Sequence, residues 1–312
     1  MQGTRERRLR FGLSVLGNHG DGGGERSGGP AGETDCAAYE VVRRAGVSWG
    51  CGGGCEMTQL VLSCFPGIDL LGRAFEESGF CIVRGPDVIF GGDIRGWHVP
   101  AGRFDGVIGG PPCQCFSRLR KLLRATGRDT KAKDLIPEFA RIVGETHPRW
   151  FLMENVPEAH QPCTPGYIQS EFLLRDSELG GDTRRLRRFW FGVTGSNAPV
   201  VLRITGKPRK SLLPIERAVT RNCRIPDTVA AKKAARKDGG MLPGQGRYES
   251  IQAVCELQGL PPDFCNGLAY TKESLRIMLG NGVPMAMGRA LAKAVREYVE
   301  EITAEARRRR ES

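Results

Sequence analysis

The 312-residue chain contains no apolar run approaching the ~20 residues that a membrane-spanning helix requires. It also lacks a recognisable secretory signal at its start, so a cytoplasmic location is expected. No G-x-G-x-x-G follows the first strand-like segment, which excludes the dinucleotide fingerprint of dehydrogenase-type domains. Acidic residues are in deficit: 35 Asp and Glu stand against 46 Lys and Arg, for a formal net charge of +11. That balance favours a polyanionic partner such as nucleic acid over a neutral metabolite, although charge alone also fits an ordinary basic protein. Hydrophobic residues make up 40%, enough for a sizeable core in a chain of this length. Cysteine is not scarce, but an odd count of 11 without a regular framework fits a reducing compartment rather than a disulfide scaffold. Cys51 and Cys55 lack a second pair at zinc-finger spacing, so no metal site is expected.

Residues 1–56 are rich in Gly and Arg and show no sustained apolar periodicity. They are expected to be disordered, or an extension ahead of a natural start at Met57. Patterning begins with LVLSCF at Leu60–Phe65, a buried strand. Pro66 and Gly67 form its turn, and Leu70, Leu71, Ala74 and Phe75 give the next segment a helical apolar face. Such a strand, turn and helix unit presents backbone N–H groups to a ligand. Further strands are predicted at Phe80–Val83, at Phe104–Ile108 and at Arg149–Met153, with a short one ending near Asp93. Asp134 and Pro137 start an amphipathic helix that His147 and Pro148 end. The pattern is that of an α/β fold.

The strand before Gly109 is stopped abruptly by GGPPCQCFS, residues Gly109–Ser117, which sets Cys113 on a stiff turn at a strand end. That is where ligands and catalytic groups gather in open α/β sheets. Taken alone, Cys113 is equally a free cysteine packed in a core. Further segments follow in order: Glu154-Asn155-Val156 at the end of the next strand, TRRLRRFWFG at Thr183–Gly192, and GNGVP at Gly280–Pro284. Arg118–Lys133 and residues 193–246 are strongly basic, suited to phosphates or else to a solvated face.

In this order the motifs resemble those of the cytosine-C5 methyltransferases that act on DNA, and the likeness runs from Leu60 to Val299. The resemblance implies a Rossmann-like, S-adenosylmethionine-dependent methyltransferase fold with a mostly parallel sheet and a small target-recognition region. It divides the chain into a catalytic and cofactor-binding domain at 57–192, a recognition region at 193–246, a segment returning to the catalytic domain at 247–302, and a basic tail at 303–312. Cys113 becomes the nucleophile, Glu154 the group facing the cytosine N3 and N4 edge, and Arg185 and Arg187 the arginines that orient the base. S-adenosyl-L-methionine would be held by Phe65, Gly67, Ile68, Asp93, Pro111 and Asn281. Asp87 is either the ribose-binding acid or a surface-turn carboxylate. Two residues depart from the family pattern in the first turn, Ser63 where Asp is usual and Asp69 in place of the second glycine, and Thr183 replaces a Gln.

The same resemblance implies covalent catalysis on a cytosine flipped out of double-stranded DNA, with Cys113 ionised by the surrounding arginines. Action as a monomer follows, and a cognate restriction endonuclease is the candidate partner. Two alternatives stay open: methylation of cytosine in transfer RNA, and a nucleic-acid-binding relative that has lost its activity.

Overall fold

The computed structural model describes residues 58–116, 133–196, 200–208, 224–225, 247–248 and 250–311. The expectations for residues 1–56, for the basic stretch up to residue 132 and for most of 193–246 lie outside those residues.

Six strands form one sheet: β1 (Leu60–Cys64), β2 (Cys81–Arg84), β3 (Gly106–Gly109), β4 (Trp150–Asn155), β5 (Ile168–Arg175) and β6 (Leu186–Val193), in the order β2-β1-β3-β4-β6-β5. The pairings β1 with β2, β1 with β3 and β3 with β4 are parallel, whereas β6 runs antiparallel to both β4 and β5. Only β6 is reversed, so the sheet is mostly parallel as expected. Two short strands, β7 (Arg224–Ile225) and β8 (Arg247–Tyr248), pair antiparallel apart from it.

The near-continuous apolar character of the central strands reflects cover on both faces. Val61, Ile108, Trp150, Leu152, Phe189 and Phe191 belong to one core cluster, while Leu62, Val107, Phe151, Met153 and Trp190 belong to another. Helix α1 (Leu70–Glu77) and the long helix α5 (Met285–Glu311) pack in the first cluster; α2 (Ile136–Thr146) packs in the second. Helix α3 (Ile251–Leu257) and α4 (Lys272–Asn281) join the start of α1 in a third, through Val254, Cys255, Leu275 and Leu279. Helix α2 ends with His147 in the left-handed conformation at φ 50, just before Pro148. The C-terminal helix is tied to α1 and the turn after it: Arg289 pairs with Glu77 at 2.6 Å, and Arg296 Nη1 donates to the Ser78 carbonyl at 2.8 Å.

Helix α5 carries the basic C-terminal residues as far as Glu311. One expectation is corrected. No strand ends at Asp93; the chain there makes two 3-10 turns, Val88–Phe90 and Ile94–Gly96, because Gly91 takes φ 81 and Asp87 and Asp93 cap the turns with their carboxylates. Gly280 and Asn281 close α4, and the long helix α5 opens at Met285, directly after the GNGVP turn.

Sheet register assembles one edge. Cys64, Gly109 and Met153 sit level across β1, β3 and β4, so the residues that follow them emerge side by side at the carboxyl ends. Because β6 is reversed, its first residues reach the same edge: Glu154 pairs with Phe189 and Asn155 with Arg188. Arg187, two residues from Phe189, therefore shares the face of Glu154.

Candidate active site

The turn after β1 is built from alternating left-handed residues: Phe65 at φ 55, Gly67 at φ 54 and Asp69 at φ 53. Proline fixes Pro66 between the first two. Phe65 in that region is strained, as residues at ligand turns often are. The Gly67 N–H donates to Asp87 Oδ2 at 3.0 Å, and the Ile89 N–H donates to Asp87 Oδ1 at 2.9 Å. Asp87 thus joins the turn after β2 to the turn after β1. A Cβ added at Gly67 would meet only Ile89 Cδ1, at 3.9 Å, so the turn stays open to a ligand. Beside it Val88, Ile89 and Phe90 are exposed, and Phe90 lies 6.3 Å from the Tyr270 ring. An open left-handed turn, a carboxylate and exposed apolar side chains fit a nucleoside carrying a charged tail.

Asp93 does not join this group through a free carboxylate. It accepts from the Arg95 backbone N–H at 3.0 Å and pairs with the Arg95 guanidinium, and those bonds hold its carboxyl at about 2. Arg141 of α2 fastens the neighbouring turn by donating to the Ile94 carbonyl at 2.7 Å.

After β3, the chain passes so close to Glu154 that a Cβ on Gly110 would stand 3.0 Å from Glu154 Oε2. Pro111 is buried, and its carbonyl accepts from Asn155 Nδ2 at 3.0 Å. Cys113 opens a 3-10 turn, Cys113–Cys115, closed by the Phe116 N–H on the Cys113 carbonyl at 3.0 Å. The Cys115 thiol donates to the Lys133 carbonyl at 3.0 Å, whereas the Cys113 thiol feels the charges of Glu154 and Arg187.

Glu154 and Arg187 form a buried ion pair, Nε to Oε1 at 2.8 Å. Both act on Cys113. Burial pushes the Cys113 thiol up, Glu154 adds to that, and Arg187 and Arg185 pull it down without prevailing. The arginines thus favour ionisation of Cys113 as expected, but burial and the neighbouring carboxylate outweigh them.

Arg185 is also reassigned. It is 2% exposed, and its guanidinium donates to the Gly280 carbonyl at 2.8 Å and the Asn281 carbonyl at 3.1 Å. Burial pushes its pKa down to about 9. Arg185 therefore positions the end of α4 and does not face outward toward a base. Gln258 supports the same loop by donating to the Leu279 carbonyl. Asn281 itself is exposed, and the adjoining Gly282 lies against Leu70, the first residue of α1. Arg185→Met would leave buried carbonyls without donors; the expected loss is on the order of 2–4 kcal/mol in denaturant unfolding. A loss below about 0.5 kcal/mol would remove this anchoring role.

Sequence reasoning had no role for Asn155, although it stands inside the ENV triplet. It also read Ser63 and Asp69 as separate departures, whereas the Ser63 hydroxyl donates to Asp69 Oδ1 at 2.8 Å. Among the described residues no group of three His, Cys, Asp or Glu could hold a metal, and no helix is long and apolar enough to cross a membrane.

Part of the chain is similar to known proteins. The family model for C-5 cytosine-specific DNA methylase matches residues 90–168, the stretch that holds Cys113, Glu154 and Asn155. The chain is 48% identical over 59 residues to the type II methyltransferase M1.HphI of Haemophilus parahaemolyticus, covering 19% of this chain and 16% of that protein. It is 36% identical over 96 residues to the type II methyltransferase M.HgiDI of Herpetosiphon aurantiacus, covering 28% of this chain and 30% of the relative. These matches span less than a third of either relative. In fold, the chain is similar to the Entamoeba histolytica methyltransferase EhMeth, with a TM-score of 0.53 at 12% identity, over 78% of this chain and 99% of that one.

Proposed function

We propose, on the premise that residues 90–168 are a C-5 cytosine-specific DNA methylase segment, that the chain methylates C5 of cytosine in double-stranded DNA through a covalent adduct on Cys113. The observation that carries this reading is the convergence of Cys113, Glu154 and Arg187 at the carboxyl ends of β3 and β4. Cytosine C5 is a poor nucleophile on its own. Cys113 gives up its thiol proton to solvent, and attack by its sulfur on C6 forms an S–C6 bond and moves the ring double-bond electrons onto C5, which makes C5 enamine-like. Glu154, fixed by Arg187, bonds the N3 and N4 edge and steadies the ring as charge moves. Once C5 carries the methyl group, loss of the C5 proton to solvent restores the ring double bond and expels Cys113 as the thiolate.

S-adenosylmethionine, when bound, supplies the electrophilic methyl group. Phe65, Gly67 and Ile68 would hold it from the first turn, Asp87 from the second, and Pro111 and Asn281 from the sides. The ring atoms are hidden in a duplex, so the target base is flipped out, and Arg187 orients it with Glu154. The basic residues at 193–246 supply salt-dependent phosphate binding, and a region that short reads a short sequence. The relatives' type II naming points to a cognate restriction endonuclease as partner. A single asymmetric base needs only a monomer.

The test is transfer of labelled methyl groups from S-adenosylmethionine to duplex DNA and to transfer RNA. Label in DNA, recovered as 5-methylcytosine, is expected. Label in transfer RNA alone would replace the substrate, and none in either, with the fold intact, would make the chain a lapsed binding relative.

A further inference from the structure

The two places where the first turn departs from the family pattern are in contact, and a third residue completes the set. Asp69 is 5% exposed and engages three different elements. Its Oδ1 accepts the Ser63 hydroxyl at the end of β1, at 2.8 Å, and the Gly72 N–H in the first turn of α1, at 3.0 Å. Its Oδ2 pairs with Arg84 Nε at the end of β2, at 2.8 Å. The Gly85 N–H, next in the chain, donates to the Ser63 carbonyl at 2.9 Å. A Cβ at Gly72 would overlap the Asp69 carboxylate, so glycine there is required by the carboxylate and not by the helix.

We infer that Asp69 is the positioning residue of this cofactor turn: with Ser63 and Arg84 it locks the Gly67 turn and the Asp87 turn into one preformed unit. The inference rests on the methyltransferase reading for the ligand, but the wiring is independent of it. Position 63 and position 69 act as one choice, because only one carboxylate fits between them. A carboxylate at 63 is longer than serine and reaches where Asp69 Oδ1 now sits, provided that residue 69 gives up its own.

The experiment is a double-mutant cycle of Ser63→Asp, Asp69→Gly and the combined variant, read as the dissociation constant of S-adenosylmethionine by calorimetry and as the thermal midpoint. Each single change is expected to weaken binding about tenfold or more. Ser63→Asp crowds two carboxylates together, and Asp69→Gly releases α1 and Arg84. The combined variant is expected to return to within about threefold of the parent. Gly72→Ala, which displaces the carboxylate without removing it, is expected to weaken binding as well. Additive losses in the combined variant, or singles indistinguishable from the parent, would overturn the inference. A parent that binds no S-adenosylmethionine would overturn the cofactor reading instead. The cycle would then be decided by the thermal midpoint, where recovery in the combined variant supports the unit and additivity sinks it.

Discussion

Cys113→Ser is expected to abolish methyl transfer to DNA, with a loss of at least about 10³-fold in turnover, while the unfolding free energy stays within about 1 kcal/mol of the parent. The residue sits half-buried on a 3-10 turn whose closure uses only the backbone carbonyl of Cys113, so serine keeps the loop and removes the soft nucleophile. Cys115→Ser is the internal control. Its thiol is committed to the Lys133 carbonyl, and its replacement is expected to leave most of the rate. The elevated Cys113 pKa adds a sign that can be measured. A thiol whose pKa is raised is mostly protonated at neutral pH, and its thiolate fraction grows about tenfold per pH unit below that pKa. kcat/KM, which reports the free enzyme, is therefore expected to climb through the alkaline range rather than plateau near neutrality. A flat profile from neutral pH upward would mean that the thiol is already ionised. DNA carrying fluorine in place of the C5 hydrogen is expected to trap the protein covalently, since the proton whose loss expels Cys113 is gone. Trapping by the Cys115→Ser variant and none by Cys113→Ser would place the bond on Cys113.

What the sequence revealed and what it concealed divide along contact distance. The β1 turn, α1, α2 and β4 were legible because their apolar spacing is set by neighbours in the chain, and Cys113 and Glu154 because one lies on the Gly-Pro turn that stops β3 and the other at the end of β4. Strand β5, IQSEFLLR, was passed over although buried Ser170, Phe172 and Leu174 alternate with exposed Glu171 and Leu173, the period-two pattern of a half-buried strand. Helix α4 was passed over although Leu275, Met278 and Leu279 follow helical spacing behind the Thr271 cap. The roles of Arg185 and Asp69 are of another kind. Arg185 meets Gly280 across 95 positions, and Asp69 meets Arg84 across a helix and a strand. Neither partner leaves a local pattern. A basic residue in a motif of four arginines looks like a ligand group until its carbonyl partners are seen.

The second large effect belongs to the Glu154–Arg187 pair. Its side chains are 10% and 16% exposed and 2.8 Å apart, so solvent neither screens the pair nor replaces a lost partner. Arg187→Leu strands a carboxylate in a buried site and is expected to cost on the order of 3–5 kcal/mol of stability in addition to activity. Glu154→Gln keeps the shape and can still accept from Arg187 through its amide oxygen, so its stability cost is expected to stay near 1 kcal/mol. Its rate is expected to fall by about 10²–10⁴-fold, because an amide offers a weaker and differently polarised contact to the N3 and N4 edge. The two variants therefore separate along different axes, one in unfolding and one in turnover. The double variant Glu154→Gln with Arg187→Leu is expected to be more stable than Arg187→Leu alone, since the buried charge is gone, while remaining inactive. Additive stability losses in that double variant, or an Arg187→Leu chain that unfolds at the parent's midpoint, would show that the pair does not bear on the fold. If so, Arg187 serves only the base. Recovery of stability without recovery of turnover would assign both roles to the pair at once: the ion pair that holds the carboxyl edge of the sheet together is also the surface that receives the cytosine.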